Sequence, residues 1–190
     1  MRCDPRNGAQ CCQGEAMPDT SLRLFFALPC PAHIARRLDT WRLAQGFSGV
    51  PTARGNLHLT LAFLGQLPAS MLPLLEQLPP RLPLPQLGFD LSLDRLQCWP
   101  GGLLHLAPSQ PPATLLELVR GLNEQLALAG LPTESRPYRP HLTLARRSRM
   151  PCAAIPATFS WRVEELRLYR SLDGRYQALC RWPLGSAQEQ

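Results

Sequence analysis

Lysine does not occur in this sequence: all 20 basic side chains among its 190 residues are arginine. That absence excludes a Walker-type phosphate loop, a Schiff-base enzyme and a ligase that carries a nucleotide on a lysine amine. Any phosphate chemistry therefore falls to guanidinium groups, hydroxyls, backbone amides and histidine, and guanidinium is well shaped for bidentate phosphate contacts. No apolar run reaches the ~18 residues that cross a bilayer. The opening Met1-Arg2-Cys3-Asp4-Pro5-Arg6 leads into polar sequence rather than the apolar stretch of a signal peptide. A soluble chain that stays in the cytoplasm is expected. The seven cysteines are odd in number, scattered and without the two-residue spacing of a zinc site, so they read as reduced thiols.

What the sequence does contain is a tetrapeptide written twice, His58-Leu59-Thr60-Leu61 and His141-Leu142-Thr143-Leu144. On a strand, side chains at i and i+2 share a face, so each copy presents an imidazole beside a hydroxyl while the leucines face the other way. By the same alternation Leu57, Leu59, Leu61 and Phe63 form an apolar face, and His58, Thr60, Ala62 and Leu64 oppose it. Two such pairs suit acid–base work on a phosphate. The net charge of +6 fits an anionic partner. Residues 136–150 hold Arg136, Arg139, Arg146, Arg147 and Arg149 with no acid, so His141 is expected in a positive field. His33, opening a helix, and His105, mid-strand, are not expected to be catalytic.

Residues 1–20 are polar and aperiodic and read as a disordered extension, with Met17 a possible initiator; residues 185–190 read as a tail. Between them, residues 21–184 read as a single domain. Its expected elements are a strand over 22–28, a helix over 32–44, the first motif strand, a short helix within 69–78 and a Pro-rich connector over 79–85. One strand over 87–97 follows, then a turn at 99–102, a return strand over 103–107, an amphipathic helix over 114–129 and the second motif strand. A final hairpin is expected from 159–169 and 175–182. Each half thus supplies a strand, a helix and a His-apolar-Thr strand, which suggests a pseudo-twofold arrangement facing the two motifs across a cleft.

These residues resemble the two-histidine (2H) phosphoesterase superfamily, and within it the bacterial RNA 2′,3′-cyclic phosphodiesterases, also known as 2′-5′ RNA ligases. The resemblance rests on Arg23-Leu24-Phe25-Phe26-Ala27-Leu28-Pro29, on Asn56 to Gly65 and Arg136 to Arg146 around the motifs, and on Leu168-Tyr169-Arg170-Ser171. It implies an α+β, bilobal fold with two antiparallel sheets facing across a central groove and helices on the outer faces. It also implies His58 and His141 as the acid–base pair, Thr60 and Thr143 as phosphate-binding hydroxyls, Arg146 directed at the phosphate, and Phe25 or Phe26 with Tyr138 in a nucleotide groove. His105 stands where the family often has an aromatic residue.

The implied reaction is hydrolysis of an RNA 2′,3′-cyclic phosphate end, or of a cyclic nucleotide, to a 2′-phosphomonoester. His141 would serve as base and His58 as acid, in a monomer that needs no metal or other cofactor. Water must lose a proton on one side of phosphorus while the leaving ribose oxygen gains one on the other, and two imidazoles suit both tasks. Run backward, the same site would form a 2′-5′ linkage without ATP. Two further readings remain: a non-catalytic RNA-end or nucleotide-binding module, and a metal-dependent phosphohydrolase. No Asp or Glu closely neighbours either motif histidine to complete an oxygen–nitrogen ligand set.

Overall fold

The computed structural model describes residues 20–82, 88–151 and 155–185. The expected extension and tail, the connector from residue 83 on, residue 87 and Cys152 lie outside these residues or at their margin. The chain is α+β, with two antiparallel sheets. The first half builds β1 (Ser21–Pro29), α1 (Ala32–Ala44), the short β2 (Val50–Pro51) and β3 (His58–Pro68), followed by α2 (Leu72–Glu76). The second half begins with β4 (Phe89–Leu93), β5 (Arg95–Trp99) and β6 (Leu103–Ala107). It continues with α3 (Ala113–Leu128), β7 (Leu142–Arg146), β8 (Phe159–Val163), β9 (Glu165–Leu172) and β10 (Arg175–Pro183).

The large sheet runs β10-β9-β1-β3-β7-β6-β5, with β2 also on β7, and β4 and β8 form the small sheet. In β1, alternate residues Leu22, Leu24, Phe26 and Leu28 enter the main core, while Phe25 and Ala27 are buried on the other face. Helices α1 and α3 lay Ile34, Leu38, Leu115, Leu118 and Leu122 into the same core as Leu59 and Leu142. They therefore cover the face opposite the motif histidines.

The internal duplication takes physical form here. Strand β1 pairs antiparallel with β3 across α1, and β6 pairs antiparallel with β7 across α3. The halves of the large sheet join where β3 meets β7, at Leu59 opposite Leu142. Each is the residue after its motif histidine, so a pseudo-twofold axis passes between the two motifs.

Two expected strands prove to be broken. The run over 87–97 divides at Asp94 into β4, in the small sheet, and β5, in the large one. The Asp94 carboxylate accepts bonds from the Ser109 amide and hydroxyl, and its own amide donates to the Ala107 carbonyl, which turns the chain between sheets. The run over 159–169 likewise divides at Glu164 into β8, paired with β4, and β9, paired with β1 and β10. The apolar positions slip by one residue at both breaks, from Phe89, Leu91 and Leu93 to Leu96 and Cys98, and from Phe159, Trp161 and Val163 to Leu166 and Leu168, a signal that reading each run as a single strand passes over. The expected hairpin is β9–β10, closed by Asp173-Gly174, both at positive φ.

Candidate active site

His58 opens β3, and His141 immediately precedes β7. The intervening leucines are buried as alternation requires: Leu59, Leu142 and Leu144 are fully buried and Leu61 nearly so. On the other face the two histidines and the two threonines are half-buried. Each histidine bonds its own backbone two residues back: His58 Nδ1 donates to the Asn56 carbonyl at 2.6 Å, and His141 Nδ1 to the Arg139 carbonyl at 2.8 Å. With the proton held on Nδ1, each neutral ring presents Nε2 to the site. Thr60 Oγ1 lies 2.9 Å from His58 Nε2 and donates to it.

Register shifts decide what else reaches this face. Opposite β1, Ala27 pairs with Thr60 but Phe26 with Ala62, and Phe25 pairs with Phe63 but Leu24 with Gly65, leaving Leu61 and Leu64 as extra residues. Opposite β6, His105 pairs with Thr143 but Leu104 with Ala145, leaving Leu144 extra. Such a β-bulge reverses the alternation beyond it. Ala145 therefore joins the core, and Arg146 shares the face of His141 and Thr143. Its positive charge lowers the pKa of both motif histidines. The same effect overturns the expected placement of Phe63: Ala62 and Leu64 are buried, and Phe63 is exposed on the histidine face.

Of the two phenylalanines proposed for the groove, Phe26 has no part in it, being fully buried on the core face beside Trp182. Phe25 is nearly buried as well but packs its ring 5.0 Å from that of His58. Tyr176 and Tyr169 complete the packing around His58, at 5.1 and 6.3 Å between centroids. Tyr138 donates its hydroxyl to the Thr60 carbonyl at 2.9 Å, bracing the approach to β7 against β3. The arginine run contributes less than its count suggests. Arg136 is paired with Glu134, and among the run it is Arg146 whose charge reaches the imidazoles.

His105 stands closer to the chemistry than its sequence context implies. It is almost wholly buried, 5.4 Å from the His141 ring and 4.4 Å from Trp99, and donates Nδ1–H to the Leu103 carbonyl. Trp99 also meets His141 at 4.6 Å. Spacing along the chain carried no signal for Trp99 and Tyr176, which arrive from β5 and β10, whereas His105 and Tyr169 stand in segments that the family resemblance singles out. His33 is exposed, as expected.

Burial is the main cause that depresses the three histidines: His58 falls to about 4, while His105 and His141 are also lowered. The free protein thus holds neutral imidazoles near pH 7. A cleft of about 480 Å³ opens beside His141, lined also by Thr60, Phe63, Trp99, Tyr138 and Arg139 among others. Among the described residues, no group of three or more His, Cys, Asp or Glu side chains is placed to hold a metal ion, and no helix is long and apolar enough to cross a membrane. Cys30, Cys98 and Cys180 are free thiols.

A family model described as the 2′-5′ RNA ligase superfamily matches residues 30–175. The chain is 39% identical over 172 residues to an RNA 2′,3′-cyclic phosphodiesterase of Escherichia coli strain K12, covering 85% of this chain and 96% of that protein. It is 31% identical over 163 residues to an RNA 2′,3′-cyclic phosphodiesterase of Thermus thermophilus, covering 79% and 82%. Its fold matches the crystal structure of E. coli LigT complexed with 3′-AMP with a TM-score of 0.79 at 36% identity, covering 88% of this chain and all of that one.

Proposed function

The chain belongs to the 2′-5′ RNA ligase superfamily, and on that footing we propose that it is an RNA 2′,3′-cyclic phosphodiesterase working by two-histidine acid–base catalysis. The observation that carries the mechanism is the matched anchoring of His58 and His141, each donating Nδ1–H to a carbonyl two residues back. Both Nε2 atoms are left to work from opposite halves of one sheet.

One Nε2 takes a proton from the attacking water and the other gives a proton to the departing 3′ oxygen, leaving a 2′-phosphate. Following the family likeness, His141 is the base and His58 the acid. Because His58 is depressed to about 4 in the free protein, its proton is acquired together with the substrate, whose anionic phosphate favours the charged imidazole. The hydroxyls of Thr60 and Thr143 and the guanidinium of Arg146 offset the charge that builds on the non-bridging oxygens. With the 5′-hydroxyl of a second RNA in place of water, the same groups deprotonate it for attack on phosphorus and protonate the departing 3′ oxygen, which joins the two ends as a 2′-5′ linkage without ATP. One chain supplies both histidines, so a monomer suffices.

Incubation with an RNA ending in a 2′,3′-cyclic phosphate tests this directly. Wild type is expected to yield the 2′-phosphomonoester in the presence of EDTA, and His58→Ala and His141→Ala each to lose on the order of 10²-fold or more in kcat. Binding without turnover would identify a non-catalytic RNA-end module instead. Full activity in either variant would remove the acid–base assignment.

A further inference from the structure

A second cavity, of about 510 Å³, shares no lining residue with the cleft beside His141. Of the strands in the large sheet, the cleft draws on β3 and β5 and this cavity on β1 and β9, so the two lie to either side of β3. Its near end adjoins the catalytic pair: Leu57 precedes His58, Pro29 pairs with His58 across the sheet, and the Tyr169 ring lies 6.3 Å from that of His58. The wall suits an anion. Arg36, Arg54, Arg162 and Arg167 outnumber Glu164 and Glu165, and Glu165 is already paired with Arg167. Among the described residues Arg36 forms no ion pair, and Arg54 meets Asp39 only at 3.8 Å, while Arg42 holds that carboxylate at 2.6 Å. Helix α1, 13 residues long, starts at this wall with no side-chain cap, which leaves the positive end of its dipole there. Two donors of the same lining residues, Trp161 Nε1 and Arg167 Nε, are buried without an acceptor among the described residues, and Trp161 as a whole is 6% exposed. Buried donors are ordinarily satisfied, and an oxyanion drawn into the cavity supplies an acceptor.

Resting on the phosphodiesterase reading above, we infer that this cavity seats the phosphodiester on the 5′ side of the terminal nucleotide, while the cyclic phosphate lies between the two motif histidines. The RNA then leaves the active site over β1 and β9, and the protein takes hold of an RNA end as a chain rather than as a lone nucleotide. Arg36 and Arg54, both exposed, supply the guanidinium contacts to the linkage. A backbone phosphate has the same chemistry at every step of the strand, so the contact positions the RNA without selecting its sequence.

The test compares the dinucleotide ApA ending in a 2′,3′-cyclic phosphate with adenosine 2′,3′-cyclic phosphate, which lacks the inner linkage. Wild type should favour the dinucleotide through KM, and in the double variant Arg36→Gln, Arg54→Gln the ratio of the two kcat/KM values should fall on the order of 10-fold. A dinucleotide whose inner linkage is an uncharged methylphosphonate should lose the same factor with wild type. A wild-type ratio near one, a ratio that the double variant keeps, or a methylphosphonate as good as the natural linkage would overturn the subsite. Calorimetry with ApA 2′-phosphate and adenosine 2′-phosphate reads the same ratio from binding alone. A wild type that binds the longer product more tightly but hydrolyses neither substrate would sink the phosphodiesterase reading while the subsite is still judged on affinity.

Discussion

Each motif histidine is oriented by a bond to its own local backbone, so its tautomer is set before any substrate arrives. For His58 the anchoring carbonyl belongs to Asn56, and the Asn56 side chain is itself tied across the molecule. Its Nδ2 donates to the Gly174 carbonyl at 2.7 Å, and its Oδ1 accepts from the Tyr176 amide at 3.2 Å. Asn56 is thus a positioning residue. Asn56→Ala should lower kcat on the order of 10- to 100-fold with KM little changed, because small misplacements of an acid–base group are costly; an equal change in KM would count against this role. Depressed histidines in the free protein also predict that kcat/KM, which reports the free protein, peaks at lower pH than kcat, which reports the substrate-bound state. Coincident peaks would mean that the phosphate does not raise these groups. The His–Thr pairs were legible from i, i+2 spacing, whereas the Asn56 tie was not, since its partners lie more than a hundred residues away.

Among the elements, bulges do most to shape the site. Simple alternation would place Phe63 in the core and aim Arg146 away from His141; one extra residue, Leu61 or Leu144, reverses each placement. Strand β2 supports β7 at this point, and the chain enters β2 from Gly49 at φ +89°, where a Cβ would lie 2.4 Å from the Arg146 carbonyl oxygen. Gly49→Ala should therefore cost at least about 1 kcal/mol by urea denaturation and reduce activity by displacing Arg146. Unchanged stability would show that the loop relaxes freely. Expected and observed elements agree closely at β1, α1, β6 and α3, where Pro, Gly and helical periodicity mark the ends. They disagree at Asp94 and Glu164, where a strand changes sheet at a one-residue slip in the apolar alternation.

Across the whole molecule, burial of three histidines ties folding to pH. Their folded pKa values lie below the unfolded value near 6.5. Between 6.5 and the folded values the unfolded chain therefore binds more protons. The associated stability is complete above about pH 6.5 and is lost as pH falls toward 4. Each tenfold change in proton affinity is worth about 1.4 kcal/mol, so the lowering of His58 alone accounts for up to roughly 3 kcal/mol. The lowered carboxylates of Asp94 and Glu134 act mostly at still lower pH. Urea midpoints should drop between pH 7 and pH 4, and more gently in His58→Gln; a flat wild-type profile would contradict the burial. By itself the sequence determined the chemistry available: no lysine, two His–Thr pairs, and apolar periodicity sufficient for an α+β core. Those features are local and survive reading one residue at a time. Only the tertiary structure decided which side chains surround each histidine, because strand register, bulges and the Leu59–Leu142 join are relations between distant segments, and a one-residue offset exchanges core for site.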